Sequence, residues 1–129
     1  MLGRFFRFSL KGKFVLNEVS YTPGQIMREL TRIQAEMSKG GQALYDAEVR
    51  LAHLEDTADL TLQRSYIAAT GTDKERTAKS RVAAAEARLE ADLGKAEVNR
   101  IKLKIKTLEN AQMATQTISR LVEAEMRNL

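Results

Sequence analysis

The chain has 129 residues, of which 43% are hydrophobic and 29% charged, with four Phe, three Tyr, no Trp and no Cys. That balance is too apolar for a disordered chain and too charged for a membrane span, and a chain without Cys has no disulfide, thiolate metal site or cysteine nucleophile. The net charge of +4 sits entirely in residues 1–13, where Arg4, Arg7, Lys11 and Lys13 stand without an acid; the other 17 bases face all 17 acids.

The length suggests one domain. No stretch approaches ~18 consecutive apolar residues, so no membrane-spanning helix is expected. Arg7, Lys11 and Lys13 interrupt the N-terminal segment, which therefore lacks the apolar centre of a secretory signal. A cytoplasmic location is the expectation. A body that held DNA by neutralising phosphates would show a stripe of one sign, whereas acids and bases mix along this one.

Residues 1–21 differ from the rest and contain all four Phe. Phe6, Phe8 and Leu10 alternate with Arg7, Ser9 and Lys11, the period of a strand, and Gly12 can turn the chain before Phe14 and Leu16 resume it. Two readings stand: a basic, aromatic arm, or a short β-hairpin. A lone two-stranded hairpin is marginal in water and would need a partner surface. Arg4, Phe5, Phe6, Arg7, Phe8, Lys11 and Lys13 combine cations with rings, a chemistry that binds single-stranded nucleic acid by stacking and charge. An anionic membrane surface or a protein groove would take the same segment. The plainer alternative is a tail ordered by its own dimer.

Thr22-Pro23-Gly24-Gln25 then opens a helix, with Thr as N-cap, Pro at the first helical position and Gln placed to reach back to the cap. Ile26, Leu30, Ile33, Met37, Leu44, Ala47, Leu51, Leu54, Ala58, Leu62 and Tyr66 follow in steps that keep one face apolar. Gly40 and Gly41 interrupt that pattern and predict either a kink or a break. Ala69-Thr70-Gly71 closes the helix, and Thr72-Asp73-Lys74-Glu75 is a second capping box. A stop and a start within three residues mark a tight helical turn.

The second helix is expected from about Asp73 to about Arg127. Val82, Ala85, Leu89, Leu93 and Ala96 form its first stripe, widened by Ala83, Ala84, Ala87 and Ala91. Val98, Ile101, Ile105, Leu108, Ile118, Leu121 and Val122 carry the face onward after a shift near Gly94–Val98. Folding about Gly71 sets Leu54 against Leu89, Leu44 against Val98 and Met37 against Ile105.

The predicted architecture is therefore all-α: a long antiparallel helical hairpin of coiled-coil type over residues 22–129, with helices at about 23–69 and 73–127, a turn at 70–72, and a short N-terminal arm over 1–21. Each helix of a two-helix rod leaves most of its surface in water, so self-association into a helical bundle is expected, most simply as a dimer.

Chemistry is sparse. His53 is the single histidine, near Glu55, Asp56 and Asp59, a grouping more often solvated than metal-binding. A rod offers no concave pocket for acid–base catalysis, so neither a catalytic residue nor a cofactor is assigned. Arg100, Lys102, Lys104 and Lys106 alternate with Ile101, Leu103 and Ile105. On a helix these bases divide into two pairs on different faces. They can touch phosphate, or simply snorkel beside a buried seam.

The segments VSYTPGQIMREL, YIAATGTDKERTAKSRVAA and AEVNRIKLKIKTLENAQMATQTISRLV resemble small helical proteins encoded by tailed phages and prophages. The resemblance covers roughly residues 19–122 and rests on caps and heptads. It implies an accessory role beside recombination and replication genes, in the host cytoplasm, and carries over no catalytic residue. Two functions follow: a non-enzymatic scaffold or adaptor bridging protein partners, and a nucleic-acid-binding accessory using the N-terminal arm.

Overall fold

In the computed structural model the described residues are 6–9, 13–16 and 19–128. The chain is a helical hairpin preceded by a small antiparallel sheet, with element order β1 (Phe6–Ser9), β2 (Lys13–Leu16), β3 (Val19–Tyr21), α1 (Pro23–Ala68) and α2 (Asp73–Arg127).

Of the two expectations for residues 1–21, the structure has paired strands. β1 pairs with β2 in the register Phe6↔Leu16 to Ser9↔Lys13. β2 also pairs with β3, from Phe14↔Tyr21 to Leu16↔Val19. The third strand goes beyond the predicted hairpin and leaves β2 hydrogen-bonded on both sides. Sequence alternation over 6–16 shows β1 and β2, whereas three residues at 19–21 are too few to show a period.

The first helix start has the whole of the predicted capping box, and the second has its Thr72 half. The Gln25 amide donates to Thr22 Oγ1 at 3.2 Å, and the Thr22 amide donates to Gln25 Oε1 at 2.9 Å, a complete capping box. At the second start the Glu75 amide donates to Thr72 Oγ1 at 3.2 Å. Gly71 between the helices has φ +111°, a conformation that side-chain-bearing residues rarely adopt.

Gly40 and Gly41 do not break α1, which is one helix from Pro23 to Ala68. Of the two expected alternatives, a kink or a break, the break does not occur, on physical grounds. Two helix-weakening residues cost ~1 kcal/mol each relative to Ala, little against a face that continues through them. The face steps Met37, Gly40, Leu44, Ala47 without losing its spacing, and all four are at least half-buried.

The chain divides into two units, one holding residues 40–104 and the other residues 1–39 and 105–129. In the second unit Ile26 and Val122 form a buried pair, with Tyr21, Leu30 and Ile118 packed on it, and Ile33 is wholly buried. Tyr21 ends β3, so the last strand is tied to the helices by that ring. In the unit holding 40–104 the buried side chains are much smaller: Ala47, Ala58, Ser80, Ala84, Ala91 and Val98.

That contrast corrects the predicted face of α2. The residues packed inward are Thr77, Ser80, Ala84, Ala87, Ala91, Gly94 and Val98, at alternating steps of three and four. The bulkier residues taken for its first stripe lie outside: Val82 is 78% exposed, Leu89 57% and Leu93 59%, with Ala85 and Ala96 also exposed. Ala84 and Ala91 do not widen the seam but compose it. From Val98 onward the predicted stripe follows the inward face, except that Leu121 is exposed. The shift near Gly94–Val98 is thus a change from the outer face to the inner one.

The predicted register moves with it. Leu54 packs against Gly94 rather than Leu89; Arg50 reaches Glu97 at 3.0 Å and Arg88 reaches Asp59 at 3.6 Å. The partner of Leu54 lies five residues beyond the one expected, about 140° around the helix at 100° per residue. The cause lies at the turn. Rather than pairing across, the first two turns of α2 reach back over the end of α1 and the link. Arg76 donates through Nε and a terminal nitrogen to the Tyr66 carbonyl at 3.2 and 3.1 Å, and Lys79 Nζ donates to the Thr70 carbonyl at 2.9 Å. Arg76 thus adds to a Tyr66 carbonyl that also accepts from the Ala69 amide at 3.3 Å, and Lys79 holds the Thr70 carbonyl in the link between the helices.

Candidate interaction surface

α2 has two lengthwise faces between Val82 and Leu103. The inward one is built of small residues, so the backbones approach closely: a Cβ on Gly94 would stand 3.0 Å from Leu54 Cδ1. The outward one holds Val82, Leu89 and Leu93, together with Leu103 at 68% exposure. Val82, Leu89, Ala96 and Leu103 recur every seventh residue, which keeps them nearly aligned along the helix. Glu86 and Arg100, both exposed, occupy the adjoining row with Leu93. Hydrophobic residues scattered singly on a surface are ordinary; here Val82, Leu89, Leu93 and Leu103 are exposed along one face.

Near the turn an open groove of about 480 Å³ lies between the helices, bordered by Leu62, Tyr66, Ile67, Ser80 and Arg81. The expectation of a chain without a concavity is amended to that extent. The groove is mostly apolar, and its one strongly organised polar group is Tyr66. Its hydroxyl donates to Asp73 Oδ1, and the Arg76 guanidinium lies 4.3 Å from the ring centroid. The hydrogen bond to Asp73, aided by desolvation, raises the Tyr66 phenol above its ordinary range.

The structure divides the sequence-predicted contact residues. Phe6, Arg7 and Phe8 are in β1 and Lys13 opens β2, whereas Arg4, Phe5 and Lys11 lie outside the described residues. Arg100, Lys102, Lys104 and Lys106 are all exposed on α2. Lys106 lies 4.0 Å from Glu109. His53 is exposed, and among the described residues no group of three or more His, Asp or Glu is placed to hold a metal ion. Among the described residues, no helix is long and apolar enough to cross a membrane.

No protein-family model, curated protein or solved structure matches the chain. The outward row of α2 was in the sequence but assigned to the wrong side. The signal that separates the two faces is residue size: where Ala, Gly and Ser recur at alternating steps of three and four beside a row of Leu and Val, the small row is the one that close helix packing selects.

Proposed function

We propose that the chain is a non-enzymatic helical adaptor, which acts by presenting the outward face of α2 to another helix in a coiled-coil contact. The observation that supports this is the exposure of Val82, Leu89, Leu93 and Leu103 along one side of a helix whose opposite side is already packed. Amphipathic helices recognise partners through such anchors at spacings of three, four and seven. The setting proposed is that of an accessory protein of a tailed phage or prophage, on the strength of the sequence resemblance.

The competing reading places nucleic acid on the basic, aromatic N-terminal segment with Arg7 and Lys13, and separately on Arg100, Lys102 and Lys104 of α2. It is favoured by the exposure of the three bases on α2. Light scattering at low and high salt, with and without a short single-stranded oligonucleotide, separates the two. An adaptor working through an apolar face has a mass indifferent to the oligonucleotide and resistant to salt. A mass that rises with the oligonucleotide and falls back in salt would transfer the function to the basic residues, because phosphate contacts weaken steeply as salt rises.

A further inference from the structure

We propose that the outward face of α2 binds a second copy of itself, antiparallel, about a two-fold axis that passes beside Leu93. The proposal rests on the adaptor reading and names its first partner.

The argument starts from the order of residues along the face. Steps of four and three from Val82 give Val82, Glu86, Leu89, Leu93, Ala96, Arg100 and Leu103. All seven are exposed and lie within one unit of the fold. This row continues over six steps, about 32 Å of helix, and its chemistry is close to palindromic. Set antiparallel against a copy, Val82 meets Leu103, Glu86 meets Arg100, Leu89 meets Ala96 and Leu93 meets itself. Apolar groups oppose apolar groups, large opposes small beside the axis, and the two charges within the row find opposite charges twice over. A two-fold contact requires this self-complementarity.

The parallel alternative fails on the same residues. There Glu86 would face Glu86 and Arg100 would face Arg100, two like-charge contacts inside the apolar row. Among the described residues the ion pairs of this unit are Arg50–Glu97 and Arg88–Asp59, which use neither Glu86 nor Arg100. At the rim of the antiparallel pairing Asp92 faces its copy, and Glu90 faces a Glu97 already paired with Arg50. Rim charges stay in water, where such repulsion is small.

The absence of Cys makes the geometry directly testable. Light scattering of the full chain at about 100 µM should give twice the chain mass. Leu89→Glu/Leu93→Glu should give the chain mass with its helical circular dichroism kept. Under mild oxidation Leu93→Cys should crosslink to itself. Val82→Cys should crosslink to Leu103→Cys but not to itself. Should the double glutamate variant fail to fold, charge reversal supplies the same test. Glu86→Arg alone and Arg100→Glu alone should each weaken the dimer roughly tenfold or more, and the two together should restore it.

A wild-type chain that stays monomeric, a dimer that survives both the glutamates and the charge reversals, or self-crosslinking of Val82→Cys would each overturn the proposal. A monomer indifferent to oligonucleotide leaves the adaptor reading in place with a foreign helix as partner. A monomer that gains mass on oligonucleotide removes both.

Discussion

Gly94 faces Leu54 so closely that a Cβ on the glycine would stand 3.0 Å from Leu54 Cδ1 and 3.4 Å from Leu51 Cδ1. Helix propensity favours Ala over Gly by about 1 kcal/mol, and crowding a packed site by one methyl costs about as much or more. Gly94→Ala is therefore expected to leave stability near the wild-type value. Gly41 is also inside a helix, but nothing lies within 4 Å of its Cβ position, so Gly41→Ala should stabilise by about 1 kcal/mol. Urea unfolding of the two variants makes the comparison, and an equal gain from both would show that Gly94 is not at a close approach.

Gly71→Ala tests the turn. At φ +111° an added Cβ would also run into the Glu75 carboxylate. A side chain held in such a backbone costs about 1–3 kcal/mol. The loss should appear in thermal and urea unfolding alike. Stability unchanged by the substitution would mean that the turn relaxes to another conformation at no cost.

The two caps make a second pair. Thr72→Ala removes the hydroxyl that accepts from the Glu75 amide, and Thr22→Ala removes the one that accepts from the Gln25 amide. Each should cost about 1 kcal/mol, whereas Ser at either position should recover most of it. Loss without recovery by Ser would point to the threonine methyl rather than to the cap.

The Tyr66–Asp73 hydrogen bond makes stability depend on alkaline pH. The phenol is raised above its ordinary value in the folded state, first by that hydrogen bond. A raised pKa gives stability that is fully present below the unfolded value near 10 and is lost as pH rises through the folded value. Tyr66→Phe should therefore be less stable than wild type at neutral pH and fall less steeply above pH ~10. Ultraviolet absorbance should show the Tyr66 phenol ionising above its ordinary range, a step missing in the variant. Identical alkaline slopes would sink the assignment.

How far the sequence revealed this fold differs between the helices. For α1 the expected face is the packed one: Ile26, Ile33, Ala47 and Ala58 are buried, and Leu30, Met37, Leu44, Leu51, Leu54 and Leu62 on the same face are half-buried. The Thr22 capping box, the Thr72 cap and the Gly71 turn were legible because each depends on local chemistry within four residues. For α2 the rule that large apolar residues point inward selects Val82, Leu89 and Leu93, and these are exposed. A helix carrying two rows offers two consistent solutions, and the choice depends on how closely the neighbouring backbone approaches, a property of the pair. The register error has the same origin, since a turn located at Gly71 does not reveal that Arg76 and Lys79, in the first two turns of α2, reach back to the Tyr66 and Thr70 carbonyls. Interaction sites were less legible still, because the exposed row reads as core until the true core is known.

A seam made of Ala84, Ala87, Ala91 and Gly94 has one more property. Its steps resemble one another, so displacing α2 by seven residues would lay Ser80, Ala84 and Ala87 where Ala87, Ala91 and Gly94 had been, small residue for small residue. The small residues therefore say little about which alignment is native. What does say so is the connection between the helices: a fixed four-residue link, the left-handed glycine in it, and the two cations that lock α2 onto the end of α1. A chain opened at residues 69–72 and rejoined through its original ends would keep every seam residue and lose its alignment gauge. Its helices would slip past one another in whole heptads.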